Sequence, residues 1–172
     1  MNEFYDAIYP LQDKIGAILI QLPPKYSQDN YSVLSDFLDT LSRNHRSAIE
    51  FRHPSCYNKE TTQLLSKHDV CWVTIDYPNL PKQINLTTDF LFFRWIGIND
   101  IYHIHSYERV DKTTQLYWWL QAIHPFLDQT LTMYGFFNND FAGFAAGTCK
   151  RFMLLAGLND DLQNIPYQKS LF

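Results

Sequence analysis

The sequence predicts an α/β protein built on parallel strands, and three observations carry that expectation. Five short runs, 17–21, 48–53, 71–77, 90–95 and 131–138, are rich in β-branched and aromatic residues. Each is nearly continuous in its apolar character and ends in a polar residue, the pattern of a strand covered on both faces. Helical periodicities fill most of the gaps, and strand–helix alternation implies parallel pairing through right-handed crossovers.

Taken in order, 3–14 reads as a helix leading into the first strand. Tyr31, Leu34, Phe37, Leu38 and Leu41 recur at helical spacing, with Ser27 or Asp29 placed to cap that helix. A short helix is expected over 59–67, with Leu64 and Leu65 on its apolar side. Leu116, Trp119, Leu120 and Ile123 form another stripe, which Pro125 should kink or end. The last helix is expected over 141–155, closed by Gly157. The segment 99–111 lacks periodicity and reads as a long loop, a kind of segment that often carries function. The tail 158–172 is polar and is expected to be irregular. With no repeat, linker or low-complexity stretch, residues 1–172 are read as one α/β domain.

Composition sets the outer limits. Hydrophobic residues at 46% and aromatics at 16% suffice for a large core and argue against disorder. A net charge of −4 argues against a purely electrostatic nucleic-acid binder, without excluding a local basic pocket. No leader-like segment opens the sequence, and no run approaches the roughly 20 apolar residues of a membrane span. Cys56, Cys71 and Cys149 lie far apart with no Cys-x-x-Cys, so neither a disulfide framework nor a zinc site is expected. A cytoplasmic location fits a reducing compartment. Asn85-Leu86-Thr87 matches a glycosylation sequon and is read as chance.

Alternation along the strands points to one end of the sheet. Glu50 shares a face with Arg52, Leu19 with Gln21, and Phe92 with Arg94. Trp72, Thr74 and Asp76 share parity, as do Tyr134, Phe136 and Asn138. If the sheet curls with these faces inward, Gln21, Glu50, Arg52, Asp76, Arg94 and Asn138 converge at the C-terminal strand ends, where barrel active sites sit. Two readings stay open: ion pairs that plug the sheet, because buried charges persist only when paired, or a ligand site. His53 beside Arg52 is either an acid–base group or a hydrogen-bonded structural residue. His103 and His105 lack a third ligand, so no metal site is assigned. Asn138, Asn139 and Asp140 precede the last helix, either capping it or helping to hold an anion at its N-terminus. Trp72, Trp95, Trp118 and Trp119 are read as mostly core, and no cofactor motif is present.

The same segments resemble the domain-of-unknown-function 72 (YecE-like) family. Gly16-Ala17-Ile18-Leu19-Ile20-Gln21-Leu22-Pro23-Pro24 is similar to its strand-four motif, and Ala48-Ile49-Glu50-Phe51-Arg52-His53-Pro54-Ser55 resembles its Glu-x-Arg-His motif. Val73-Thr74-Ile75-Asp76-Tyr77-Pro78, Phe93-Arg94-Trp95-Ile96-Gly97 and Phe136-Phe137-Asn138-Asn139-Asp140-Phe141-Ala142-Gly143 resemble strands six, seven and eight. The resemblance covers most of residues 3–157. It implies a partial (β/α)8 barrel, with about five parallel strands alternating with helices and the N-terminal strands missing. It also implies that Gln21, Glu50, Arg52, His53, Asp76, Arg94, Asn138 and Asn139 surround the mouth. Cys56, Ile96, Phe144 and Ala146 depart from the family pattern, the second and third replacing histidines.

The resemblance implies no established activity. The expected function is therefore an enzyme, or former enzyme, binding a small anionic or phosphorylated ligand. In it Arg52 and Arg94 hold the anion, Asn138 and Asn139 line the site with Gln21, and Glu50, His53 or Asp76 supplies acid–base chemistry. The alternatives are a non-catalytic assembly module or a truncated remnant. Five strands do not close a barrel at ordinary tilt and shear, so open edges at the first and last strands call for an N-terminal half-barrel or self-association.

Overall fold

The computed structural model describes residues 2–98 and 100–158. They divide into two compact units, Met1–Trp95 with Phe126–Phe136, and Ile96–Pro125 with Phe137–Phe172. The expected irregular tail lies outside the described residues from 159 onward.

In the first unit, α1 (Asn2–Ile8) runs into a 3-10 turn, Tyr9–Lys14, so the expected entry helix tightens halfway. Then follow β1 (Ile18–Gln21), α2 (Tyr31–Asp39), β2 (Ser47–Glu50), α3 (Lys59–His68), β3 (Cys71–Trp72), β4 (Thr74–Asp76) and β5 (Phe90–Trp95). The last strand, β6 (Thr132–Phe137), closes the series. One three-stranded sheet has the order β1-β2-β3 and the other β4-β5-β6, with β1, β2 and β3 mutually parallel and β4 parallel to β5. The expected strand 71–77 is therefore two strands. Val73 lies between them, and its N–H still donates to the Ile49 carbonyl at 2.9 Å. Run 71–76 thus carries β2 on one side and β5 on the other.

The core of this unit lies between β2, β3 and the helices α2 and α3. Tyr31, Leu34 and Leu38 of α2 and Leu65 of α3 pack on Ile49, Phe51 and Trp72. Trp72 meets the Phe51 ring edge-on at 5.7 Å between centroids. Truncating such a fully buried aromatic costs about 3–5 kcal/mol. α3 is well specified: the Asn58 side chain accepts from Thr61 N at 3.0 Å, and Asp69 ends the helix in the left-handed region. α2 is capped differently from expectation. Ser27 and Asp29 bond to each other at 2.9 Å, and a 3-10 turn, Gln28–Asn30, leads in, leaving Asn30 at the cap position without a side-chain cap.

The second unit holds α4 (Thr113–Ile123), α5 (Asn139–Ala142) and α6 (Ala145–Leu155). After Ile123 the chain tightens into a 3-10 turn at Pro125, as the proline predicts. The single last helix expected over 141–155 is broken in two at Gly143, whose φ of +95° suits glycine and ends α5. The expected long loop has no regular structure over 100–112 but is pinned. Arg109 N donates to the Ala142 carbonyl at 2.6 Å, and Glu108 accepts from Thr148 Oγ1 at 2.8 Å while pairing with Arg151. His103 and His105 are exposed there. Trp72, Trp95 and Trp119 are buried, and Trp118 is exposed. Among the described residues no helix is long and apolar enough to cross a membrane.

Candidate functional site at the C-terminal strand ends

Glu50 is the last residue of β2 and is fully buried. A carboxylate persists there because both oxygens are engaged. Oε2 accepts from Arg94 Nη1 at 2.6 Å, and Oε1 accepts from Arg52 Nε. Gln21 is the register partner of Glu50 on β1, so the two side chains leave the sheet on the same face. Its Oε1 accepts from Arg94 Nη1 at 3.0 Å and from Arg52 Nη2 at 3.4 Å. The Arg52 guanidinium lies over the Tyr77 ring, 4.7 Å from its centroid, an arrangement that favours the cation. Both arginine side chains reach solvent, Arg52 at 11% and Arg94 at 23% exposure, whereas Glu50 does not.

Two guanidiniums around one carboxylate leave an excess positive charge facing water. The Tyr57 phenol is pushed well above its ordinary pKa by burial and then by the Glu50 charge, with Arg52 pulling the other way. Its hydroxyl donates to the Phe51 carbonyl at 3.3 Å, closing the polar shell.

The predicted residues separate into groups. Gln21, Glu50, Arg52 and Arg94 come together. Asp76 does not share their face, which corrects the expectation drawn from strand parity. Trp72 registers with Ile49, Ile75 with Arg94, and Asp76 with Trp95. The side of the sheet that carries Arg94 therefore takes Ile75, and Asp76 pairs instead with Lys82 Nζ at 3.2 Å. His53 caps the turn Pro54–Cys56: its Nδ1 accepts from Ser55 N at 3.3 Å and lies 2.7 Å from Ser55 Oγ. Asn138 and Asn139 belong to the second unit. Asn138 Oδ1 accepts from Asp140 N at 3.3 Å, and Asn139 Oδ1 accepts from Ala145 N at 2.9 Å, so both tie off backbone groups at helix starts. Among the described residues no cluster of three metal-ligating side chains occurs. Sequence reasoning passed over Tyr77 and Tyr57, although Tyr77 stands beside a predicted strand end.

An open parallel α/β sheet with its polar cluster at the C-terminal strand ends defines the class of protein. The chain belongs to the family described as protein of unknown function DUF72, whose profile matches residues 1–170. Two solved structures are similar to it. A DUF72 family protein from Thermotoga maritima is 25% identical with a TM-score of 0.74, and the match covers 91% of this chain and 64% of that one. A DUF72 family protein from Enterococcus faecalis is 20% identical with a TM-score of 0.74, over 90% of this chain and 66% of that one. The chain thus spans just under two thirds of each of these structures. A comparison with curated proteins gives no match.

Proposed function

We propose that the Glu50 cluster binds a small anionic ligand, carboxylated or phosphorylated, at the C-terminal mouth of an incomplete (β/α)8 barrel. One observation carries this reading: a fully buried carboxylate anchors two guanidiniums that both reach solvent. A structural plug would balance its charges, whereas this arrangement leaves a planar cationic surface suited to an oxyanion. Glu50 orients the arginines, since each of its oxygens already accepts a guanidinium N–H. Gln21 steadies both from the neighbouring strand. His53 is engaged by Ser55 and Asp76 by Lys82, so the geometry favours binding over acid–base catalysis at this cluster.

The test is a thermal melt with inorganic phosphate and with a small dicarboxylate. The expected result is a stabilisation that Arg94→Ala abolishes. No stabilisation of the parent protein, or an equal one in Arg94→Ala, overturns the reading.

A second reading, an assembly module that shares a barrel with an N-terminal half or a second copy, draws on the outer strands. Leu19 of β1 and Phe136 of β6, both on the parity expected to face inward, are 36% and 50% exposed. Light scattering beside a melt decides it. A stable dimer supports assembly, a monomer with one sharp transition rejects it, and a broad, aggregating melt points to a remnant.

A further inference from the structure

Guanidinium nitrogens only donate, so a side-chain amide shared by two arginines can meet both only through its oxygen. Gln21 is in that position: its Oε1 accepts from Arg94 Nη1 at 3.0 Å and from Arg52 Nη2 at 3.4 Å. Its amide nitrogen is thereby left over. Gln21 is exposed, and Nε2 has no hydrogen-bond partner among the described residues. Arg52 Nη1 and Arg94 Nη2 are likewise unused there, because the bonds to Glu50 and Gln21 engage Arg52 Nε and Nη2 and Arg94 Nη1. Each of these three nitrogens is two covalent bonds from an atom in the hydrogen bonds that meet at Gln21 Oε1, so the three stand close around one point.

The cluster therefore offers a ligand donors alone. Glu50, its carboxylate, is fully buried with both oxygens engaged. Charge narrows the ligand further. Two guanidiniums and one carboxylate leave a single positive charge, and neutral Gln21 holds both arginines without altering it. A glutamate at position 21 would hold them through the same oxygen and bring the charge to zero, so the amide is what keeps the cluster cationic. The Tyr77 ring covers one face of the Arg52 guanidinium and leaves its edges for hydrogen bonding. A carboxylate brings one charge on two acceptor oxygens and matches the excess. A phosphate monoester carries nearly two charges above about pH 6, the second without a partner beside arginines that are themselves largely buried.

We propose that Gln21 is the specificity-determining residue of this site, selecting a small monocarboxylate over a dianionic phosphate monoester, with the ligand's carboxylate accepting from Gln21 Nε2 and from the free edges of Arg52 and Arg94. The inference rests on the anion-binding reading above and narrows it.

The test is a nuclear magnetic resonance titration of the whole chain with acetate and with methyl phosphate at pH 8, where the phosphate is a dianion. It reads Arg94 Nε–H in every protein and the Gln21 side-chain amide in the parent. Saturable shifts of both signals are expected with acetate, and several-fold weaker binding with methyl phosphate. Gln21→Glu, a near-isosteric change at an exposed position, keeps an oxygen for both arginines, so its unfolding midpoint stays at or above the parent's. Its acetate binding falls at least about tenfold, the weight of one hydrogen bond to a charged group; if Gln21 only braced the arginines, binding would be unchanged. No saturable shift of Arg94 with either probe overturns the anion-binding reading itself. With that shift present, a Gln21 amide that does not move, or a Gln21→Glu protein that binds acetate as the parent does, overturns the role of Gln21. Methyl phosphate bound as tightly as acetate overturns the selectivity, and both of these parent measurements stand even if the variant does not fold.

Discussion

The central strands and the outer strands of the sheet solve different problems. β2, β3 and β4 are buried at every position, and β5 at all but Arg94, which emerges toward solvent. β1 alternates between half-buried and exposed residues, and no residue of β6 is fully buried. Sequence composition hardly distinguishes them, since Ala17–Ile20 is as apolar as the start of β2. What separates them is neighbours: a strand between two strands and under two helices is covered on every side, and an edge strand is not. Glu50, the one fully buried charged side chain among the described residues, sits among the central strands, where its partners are fixed by register.

The comparison can be broken at several points. Glu50→Ala should destabilise the protein by about 3–5 kcal/mol in urea unfolding, because it strips two guanidiniums of their buried counter-charge; a loss like that of a surface change would show the cluster to be dispensable. The central strands also predict an alkaline weakness. Burial pushes the Cys71 thiol from its ordinary 9.0 to about 12, so the folded state keeps a proton that the unfolded chain gives up. Stability is full below about pH 9 and falls as pH rises toward 12, by ~1.4 kcal/mol per unit for this group. Burial likewise raises Tyr26 to about 12 and steepens the fall above pH 10. Cys71→Ala should make the decline shallower, and an unaltered profile would remove this thiol from the account. Asn58→Ala, at the cap of the helix covering β3, should cost about 1 kcal/mol, read as a lower unfolding midpoint with an unchanged slope. Leu19→Ser, on an outer strand, should change stability by less than about 0.5 kcal/mol. If the edges join another chain, the same substitution lowers the solution mass, and an unchanged oligomer would remove Leu19 from that interface.

How much of this was legible follows from which interactions are local. β5 coincides with its predicted run, and β1, β2 and β6 differ only at their ends, because apolar runs bounded by polar residues are properties of the strand itself. Gln21, Glu50, Arg52 and Arg94 were found together because each stands at or beside the C-terminal end of its strand. Asp76 was misplaced because parity orders side chains within one strand, while the face they share with the next strand depends on register, which the sequence leaves open. The break at Gly143 was missed because the residues beyond it continue a helical pattern, and only the Arg109 backbone packed against that turn reveals the stop.

The division of run 71–76 into two short strands has a kinetic consequence. Its first half is held by β2 and its second by β5, with Val73 still bonded to Ile49 between them. Neither ladder can peel away while this run stays in place, and releasing it opens both at once. Amide hydrogens of β2 and β5 should therefore exchange with solvent through one shared opening event and report the same free energy, although the two strands never pair with each other.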